Sequence, residues 1–189
     1  MDKLLDSITQ KCLQANLIDE GQTEWLLYSL QCRVMNISGF CVLIALGLLV
    51  APFPQVLLLN LGLAFLRKRT NGLHMPTKLS CFVFSLLCEY ACLFAIRQMA
   101  FDRSLFSLGL LLVSSALILW LAPCNNKAIH LSQDELRTAR KGVHIRLAVY
   151  LLVVLILFAQ MPLLANTLVV AETAVALLVV LARLGVGIQ

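Results

Sequence analysis

Long apolar runs recur through this chain, and they constrain its fold more than any other feature. Roughly Val34–Phe53, Leu79–Ala100, Leu105–Ala122 and Leu163–Leu184 each approach the about 20 residues that a helix needs to cross a bilayer. Two shorter runs, Gln55–Leu66 and Leu147–Met161, raise the expected number of spans to six. Gln55–Leu66 must borrow its neighbours, sit in a thinned bilayer or be partly covered by protein. In 189 residues, six spans leave no room for a separate soluble domain of any size. Only 13% of the residues are charged, against about 25% in soluble domains. The expected fold is therefore all-α, a polytopic membrane helix bundle of about six transmembrane helices. It is read as one integral membrane domain over residues 1–189, with the bundle at 34–184 and connecting loops at 67–78 and 123–146.

Two amphipathic stretches precede the bundle within residues 1–33 and just beyond. Residues 3–14 set Leu4, Leu5, Ile8 and Leu13 near one helical face, and a second stretch runs from about Thr23 to Met35. Both read as interfacial helices or as packing helices over the bundle. The N-terminal stretch lacks the continuous apolar core of a cleavable signal peptide. The seven cysteines are odd in number and form no C-x-x-C pair. Several lie in apolar runs, so the chain reads as a protein of a reducing compartment without a disulfide framework.

Charge sets the expected orientation. With six spans, 13 of the 15 Lys and Arg fall on the side that holds the N-terminal region, both polar loops and the C-terminus; only Arg97 and Arg103 fall on the other. By the positive-inside rule, both termini and the 67–78 loop face the cytoplasm. That loop opens the sequence Arg67-Lys-Arg-Thr-Asn-Gly-Leu-His74-Met-Pro-Thr-Lys-Leu-Ser-Cys81. An imidazole and a thiol are the groups that covalent acyl transfer needs. In one straight helix His74 and Cys81 would stand about 10 Å apart along the axis, whereas a nucleophile and its base need about 3 Å. Pro76 is expected in the first turn of the third span, with His74 in the preceding loop and Gly72 letting that loop fold back. The nearby cations favour a thiolate. H-x6-C by itself is a weak pattern, and two packing residues explain it as well.

The order R-x-x-x-x-G-x-H-x6-C, carried by Arg67, Gly72, His74 and Cys81, resembles the accessory gene regulator protein B (AgrB) family. These are membrane cysteine endopeptidases of bacterial quorum sensing. Asn71 stands where the family usually has a first glycine. Glu24-Trp-Leu-Leu-Tyr28-Ser-Leu-Gln31 is similar to the family's N-terminal E-x-x-x-Y-G-L-[QE] stretch, with Ser29 for glycine. Ala122-Pro-Cys-Asn-Asn-Lys127, followed by Glu135 and Lys141, is similar to its A-P-…-N-K loop. The order and spacing of these segments cover essentially the whole chain.

The resemblance implies that Cys81 is the nucleophile and His74 the general base. Arg67, Gly72 and Asn71 are supporting residues, and Gln31 is a candidate donor to an oxyanion. It implies a short amphipathic, AgrD-like propeptide with an acidic tail as substrate, and a cyclic thiolactone or lactone as product. Such thiol protease chemistry, part of virulence regulation, needs no cofactor, because the thioester itself conserves the acyl energy. The resemblance also implies a homodimer in contact with membrane lipid at the cell membrane of a Gram-positive bacterium. No nucleic-acid partner is expected.

Other polar residues leave rival readings open. Glu89, Arg97 and Glu172 lie in or near spans, where ionisable groups are paired or functional. Glu89 is expected to pair with a basic group or to be a hydrogen-bonded acid inside the bundle. If instead Glu89 and Glu172 line a path, the chain is a peptide transporter or exporter; a third reading is a non-catalytic membrane scaffold. Cys124, His130 and His144 match no zinc spacing, and no metal is expected. Ser85, Ser107, Ser114 and Ser115 read as helix-packing residues.

Overall fold

The structure, a computed structural model, describes residues 2–15, 17–70, 77–99, 104–124 and 132–186. Among them are seven α-helices and no strand: α1 (Asp2–Gln14), α2 (Thr23–Gly47), α3 (Phe53–Thr70), α4 (Lys78–Met99), α5 (Ser104–Leu121), α6 (Gln133–Gln160) and α7 (Pro162–Arg183). The chain forms two compact units, Met1–Val42 and Leu43–Gln189.

In the first unit, α1 is the short amphipathic helix expected of residues 3–14. The second amphipathic stretch does not end at Met35. It runs without a break into the first apolar run as the single 25-residue helix α2. No proline interrupts residues 23–47, and one mid-helix glycine, Gly39, costs only about 1 kcal/mol relative to alanine. The change from polar to apolar side chains there is a change of surroundings, not of backbone.

The second unit is built around α7. Every residue from Ala165 to Glu172 is buried, which is more than two turns with no exposed face. A helix apolar all round belongs at the centre of a bundle. α3, α4, α5 and α6 all pack on it. Gly62 of α3 permits a close approach, since a Cβ there would meet the Tyr150 hydroxyl at 3.0 Å, Leu168 at 3.1 Å and Ala171 at 3.3 Å.

The polarity of this unit is inverted relative to a water-soluble domain. Leu105, Leu112 and Leu152 are 84%, 69% and 60% exposed, whereas Glu89 and Glu172 are 1% and 0% exposed. Apolar surface of this extent needs a nonaqueous surrounding, and carboxyl groups in a membrane turn to the bundle interior. α2, Leu79–Gln98 within α4, α6 and α7 are long and apolar enough to cross a membrane; Leu105–Leu121 of α5 is a shorter apolar helix. The protein is an all-α, multi-pass membrane helix bundle.

Both expected loops are shorter than hydropathy alone predicts. The 67–78 segment is helical through Thr70, because Arg67, Lys68 and Arg69 continue α3. Arg and Lys are good helix formers, and cations complement the negative end of the helix dipole. The 123–146 segment is likewise helical from Gln133. Ser132 caps α6 in a capping box: its hydroxyl accepts from the Glu135 amide, and the Glu135 carboxylate accepts from the Ser132 amide. Hydropathy defines where membrane residues begin, not where a helix begins. Between the last two helices the expected turn is present, with Pro162 as the first residue of α7.

Candidate active site

Cys81 stands at the fourth position of α4. Thr77 caps that helix. Its side chain accepts from the Ser80 amide at 3.1 Å, and the Ser80 hydroxyl accepts from the Thr77 amide at 3.2 Å and donates to the Thr77 carbonyl at 2.9 Å. This is a reciprocal cap in which serine takes the place usual for Glu or Gln. Cys81 comes next, and its amide makes the first regular helical bond, to the Thr77 carbonyl at 3.0 Å. Cys81 is therefore held directly behind a capped first turn. The helix begins at Lys78, so its first turn opens with Lys78–Ser80. The sequence signal for this start is the T-x-x-S pattern ahead of an apolar run.

The Cys81 side chain is half-buried. Helical spacing of seven and four aligns Cys81, Cys88 and Cys92 on one face; Cys81 and Cys88 are half-buried, and Cys92 is 6% exposed. Cys81 is thus the thiol of the row nearest the helix start. Arg67, in the last turn of α3, is half-buried. Lys68 and Arg69 beside it are exposed and end the same helix. Gln31 lies in α2, in the first unit, with its side chain exposed. Asn71, Gly72, His74 and Pro76 lie outside the described residues, as does His130.

The two membrane carboxyls are held by uncharged donors. The Asn60 amide donates to Glu89 Oε1 at 2.7 Å and to the Val56 carbonyl at 3.0 Å. Gly47 leaves room for that carboxyl; a Cβ there would lie 2.7 Å from Glu89 Oε1. Of the two readings for Glu89, this geometry is the acid hydrogen-bonded inside the bundle. Ser115 donates to Glu172 Oε1, so this serine is a polar partner and not simply a small packing residue. Arg97 donates to the Val50 carbonyl at 2.7 Å. The Asn60–Glu89, Ser115–Glu172 and Arg97–Val50 partners are 29, 57 and 47 residues apart in sequence, and no spacing pattern announces them.

One end of the second unit gathers several helix termini. The Cys124 amide donates to the Thr70 carbonyl at 3.1 Å, joining the segment after α5 to the end of α3. Arg183, at the end of α7, donates through Nε and Nη2 to the Leu121 carbonyl at 3.0 and 2.8 Å, and through Nη2 to the Pro123 carbonyl at 3.3 Å. Arg146 of α6 donates to the Phe65 carbonyl at 2.7 Å, with its guanidinium 5.1 Å from the Phe65 ring centre. The Cys124 thiol is buried and lies 3.7 Å from the Val179 carbonyl. His144 is on an exposed face of α6. Among the described residues no three His, Cys, Asp or Glu side chains form a metal-binding group. The basic C-terminus of α3 and the termini that carry Ala122–Cys124 and Arg183 thus share one end.

No solved structure matches the chain. Among curated proteins it is similar to protein FsrB of Enterococcus faecalis, with 22% identity over 151 residues. That match covers 79% of this chain but only 62% of the relative, so the chain spans less than two thirds of that protein's length. The family model for accessory gene regulator B matches residues 1–184, nearly the entire sequence and every segment on which the resemblance rests. The chain belongs to the accessory gene regulator B (AgrB) family of quorum sensing.

Proposed function

We propose that this protein is a membrane cysteine endopeptidase that processes a short amphipathic, AgrD-like propeptide at the cytoplasmic face. The observation that carries the reading is the family match over residues 1–184, with Cys81 of the family's motif at the capped start of α4. A thiol at a fixed backbone position suits a nucleophile, and a cationic helix end suits a peptide with an acidic tail. The three cations that close α3, Arg67, Lys68 and Arg69, supply that charge.

In this mechanism the Cys81 sulfur attacks the scissile carbonyl. The carbonyl oxygen takes up the electron pair. Collapse of the tetrahedral intermediate breaks the C–N bond. His74, having taken the thiol proton, returns a proton to the leaving amine. The acidic tail departs, and a thioester joins the remaining peptide to Cys81. A Cys or Ser side chain within that peptide then gives its proton to His74 and attacks the thioester, which breaks the C–S bond, releases the Cys81 thiolate and closes the ring. Nothing is oxidised or reduced, and neither metal nor nucleotide enters the balance. A site that limits water favours ring closure over hydrolysis. Arg67, Gly72 and Asn71 are supporting residues of the same proposal. A homodimer in the lipid bilayer of a Gram-positive cell, with both termini in the cytoplasm, is part of the same proposal.

The intermediate supplies the test. Wild-type protein in lipid vesicles, incubated with an AgrD-like propeptide and quenched in acid, should carry a peptide adduct at Cys81 that hydroxylamine removes. His74→Ala should form it far more slowly. An adduct on any other cysteine, or propeptide cleavage with no Cys81 adduct, contradicts the assignment. Movement of uncleaved propeptide into vesicles by Cys81→Ala would instead support an exporter.

A further inference from the structure

The basic end of α3 meets α6, and cations from both helices gather there. Arg69 lies in the last turn of α3. The stem of its side chain rests on Gly142 of α6, where an added Cβ would stand 3.6 Å from Arg69 Cδ and 3.7 Å from Nε. One turn deeper, Arg146 donates to the Phe65 carbonyl and sits over the Phe65 ring. These two pairings, Arg69 with Gly142 and Phe65 with Arg146, fix one antiparallel register between the helices. Lys141, next to Gly142, is exposed. Gathered like charges repel one another unless an anion joins them. Among the described residues, neither Arg69, Lys141 nor Arg146 has a carboxylate partner. The acids of α6 are already engaged: Asp134 lies 3.8 Å from Arg137, and Glu135 completes the Ser132 cap.

Depth and shape say which anion. At about 1.5 Å per residue, Arg69 stands about 5 Å beyond Leu66, and Gly142 about 8 Å beyond Leu147, the apolar edges of their helices. The headgroup layer of a bilayer is about 5–8 Å deep on each side. The cations therefore sit at headgroup level, and the same faces continue into the membrane as apolar surface. Leu61, one turn from Phe65 on α3, and Val149, two turns from Gly142 on α6, are both exposed. A cleft with cations at its mouth and apolar walls below fits an amphiphile with an anionic head. Guanidinium groups take phosphate oxygens in pairs, and basic pockets between membrane helices hold anionic headgroups. We infer that the cleft between α3 and α6 binds one anionic phospholipid. Its phosphate lies among Arg69, Lys141 and Arg146, and an acyl chain runs along Phe65, Leu61 and Val149. Gly142 keeps the mouth open beneath Arg69. Cys81, on α4, has no part in this site.

Lipid binding to the full-length protein in a non-ionic detergent tests this directly. The protein is titrated with phosphatidylglycerol or with phosphatidylcholine, and bound lipid is measured by native mass spectrometry. Each cation near an anionic headgroup is worth about fivefold in affinity, so wild type should prefer phosphatidylglycerol by about tenfold or more. Arg69→Gln and Lys141→Gln should each weaken phosphatidylglycerol by about fivefold and leave phosphatidylcholine unchanged. Gly142→Leu keeps every charge and favours the helix, but it fills the space beneath Arg69 and should weaken phosphatidylglycerol as much. If Arg69→Gln does not fold, Lys141→Gln and Gly142→Leu carry the test. Arg137→Gln, on the same helix but paired with Asp134, should bind as wild type. Equal affinity of wild type for the two lipids overturns the site. So does wild-type affinity in Gly142→Leu, or a loss in Arg137→Gln as large as that in Arg69→Gln, because a diffuse positive field would then suffice. Inorganic phosphate and an oligoglutamate peptide, at the same concentration as the lipid, should displace little of it, since neither fills the apolar part of the cleft. Displacement by phosphate would assign the site to a free anion, and displacement by the peptide to an acidic peptide; either result overturns the lipid.

Discussion

A thiol becomes a nucleophile through its place, and Cys81 has a place that Cys88 and Cys92 lack. All three share a face of α4, but Cys81 alone adjoins the helix start, within a turn of the Thr77–Ser80 cap. Cys88→Ala and Cys92→Ala are therefore expected to retain propeptide cleavage within a few-fold, checked by mass spectrometry of the product, whereas Cys81→Ser is not. Ser115→Ala removes the donor to a buried carboxyl and should destabilise the bundle by about 1–3 kcal/mol. Thermal unfolding in detergent measures this, and an unchanged transition would mean that the bond is not made. Cys81, Arg67 and Gln31 stand out in sequence as candidates because a family motif marks them. Asn60 and Ser115 are not, because each meets its carboxyl only after distant helices pack. A lone Asn or Ser in an apolar run looks the same whether or not it has such a partner.

Among the helices, apolar runs mark positions but not ends. α3 and α6 extend into charged sequence because Arg, Lys, Leu and Ala sustain a helix in water as well as in lipid. Pro162 is legible, since proline at a first helical position is a local signal with a fixed backbone cause. At the start of α4 the T-x-x-S cap sets the boundary. Thr77→Ala should cost about 1 kcal/mol through loss of that cap and should lower cleavage, because it loosens the turn that carries Cys81. Gly62→Leu should cost about 1–3 kcal/mol by forcing α3 away from α6 and α7. Chemical denaturation in detergent reads both, and a Gly62→Leu protein as stable as wild type would contradict the close approach.

For the whole molecule, the inverted polarity is what identifies a membrane protein: leucines outward, carboxyls inward. Its centre, α7, is not legible as such, because an apolar run looks alike in lipid contact and in protein contact; only packing on four other helices sets it apart. The asymmetric charge predicts the orientation. Lys68→Cys should be labelled by an impermeant thiol reagent only from the cytoplasmic side, and Arg103→Cys only from outside; the reverse pattern would overturn the topology. Everything proposed about the chemistry depends on covalent catalysis by Cys81, which a single comparison of tail release can decide. An AgrD-like propeptide is incubated with wild-type protein and with Cys81→Ala, both folded in the same lipid vesicles, and the released acidic tail is quantified. Wild type should release the tail, and Cys81→Ala should lose that activity by a factor on the order of 10^3 or more. Tail release by Cys81→Ala at the wild-type rate would rule out Cys81 as the nucleophile.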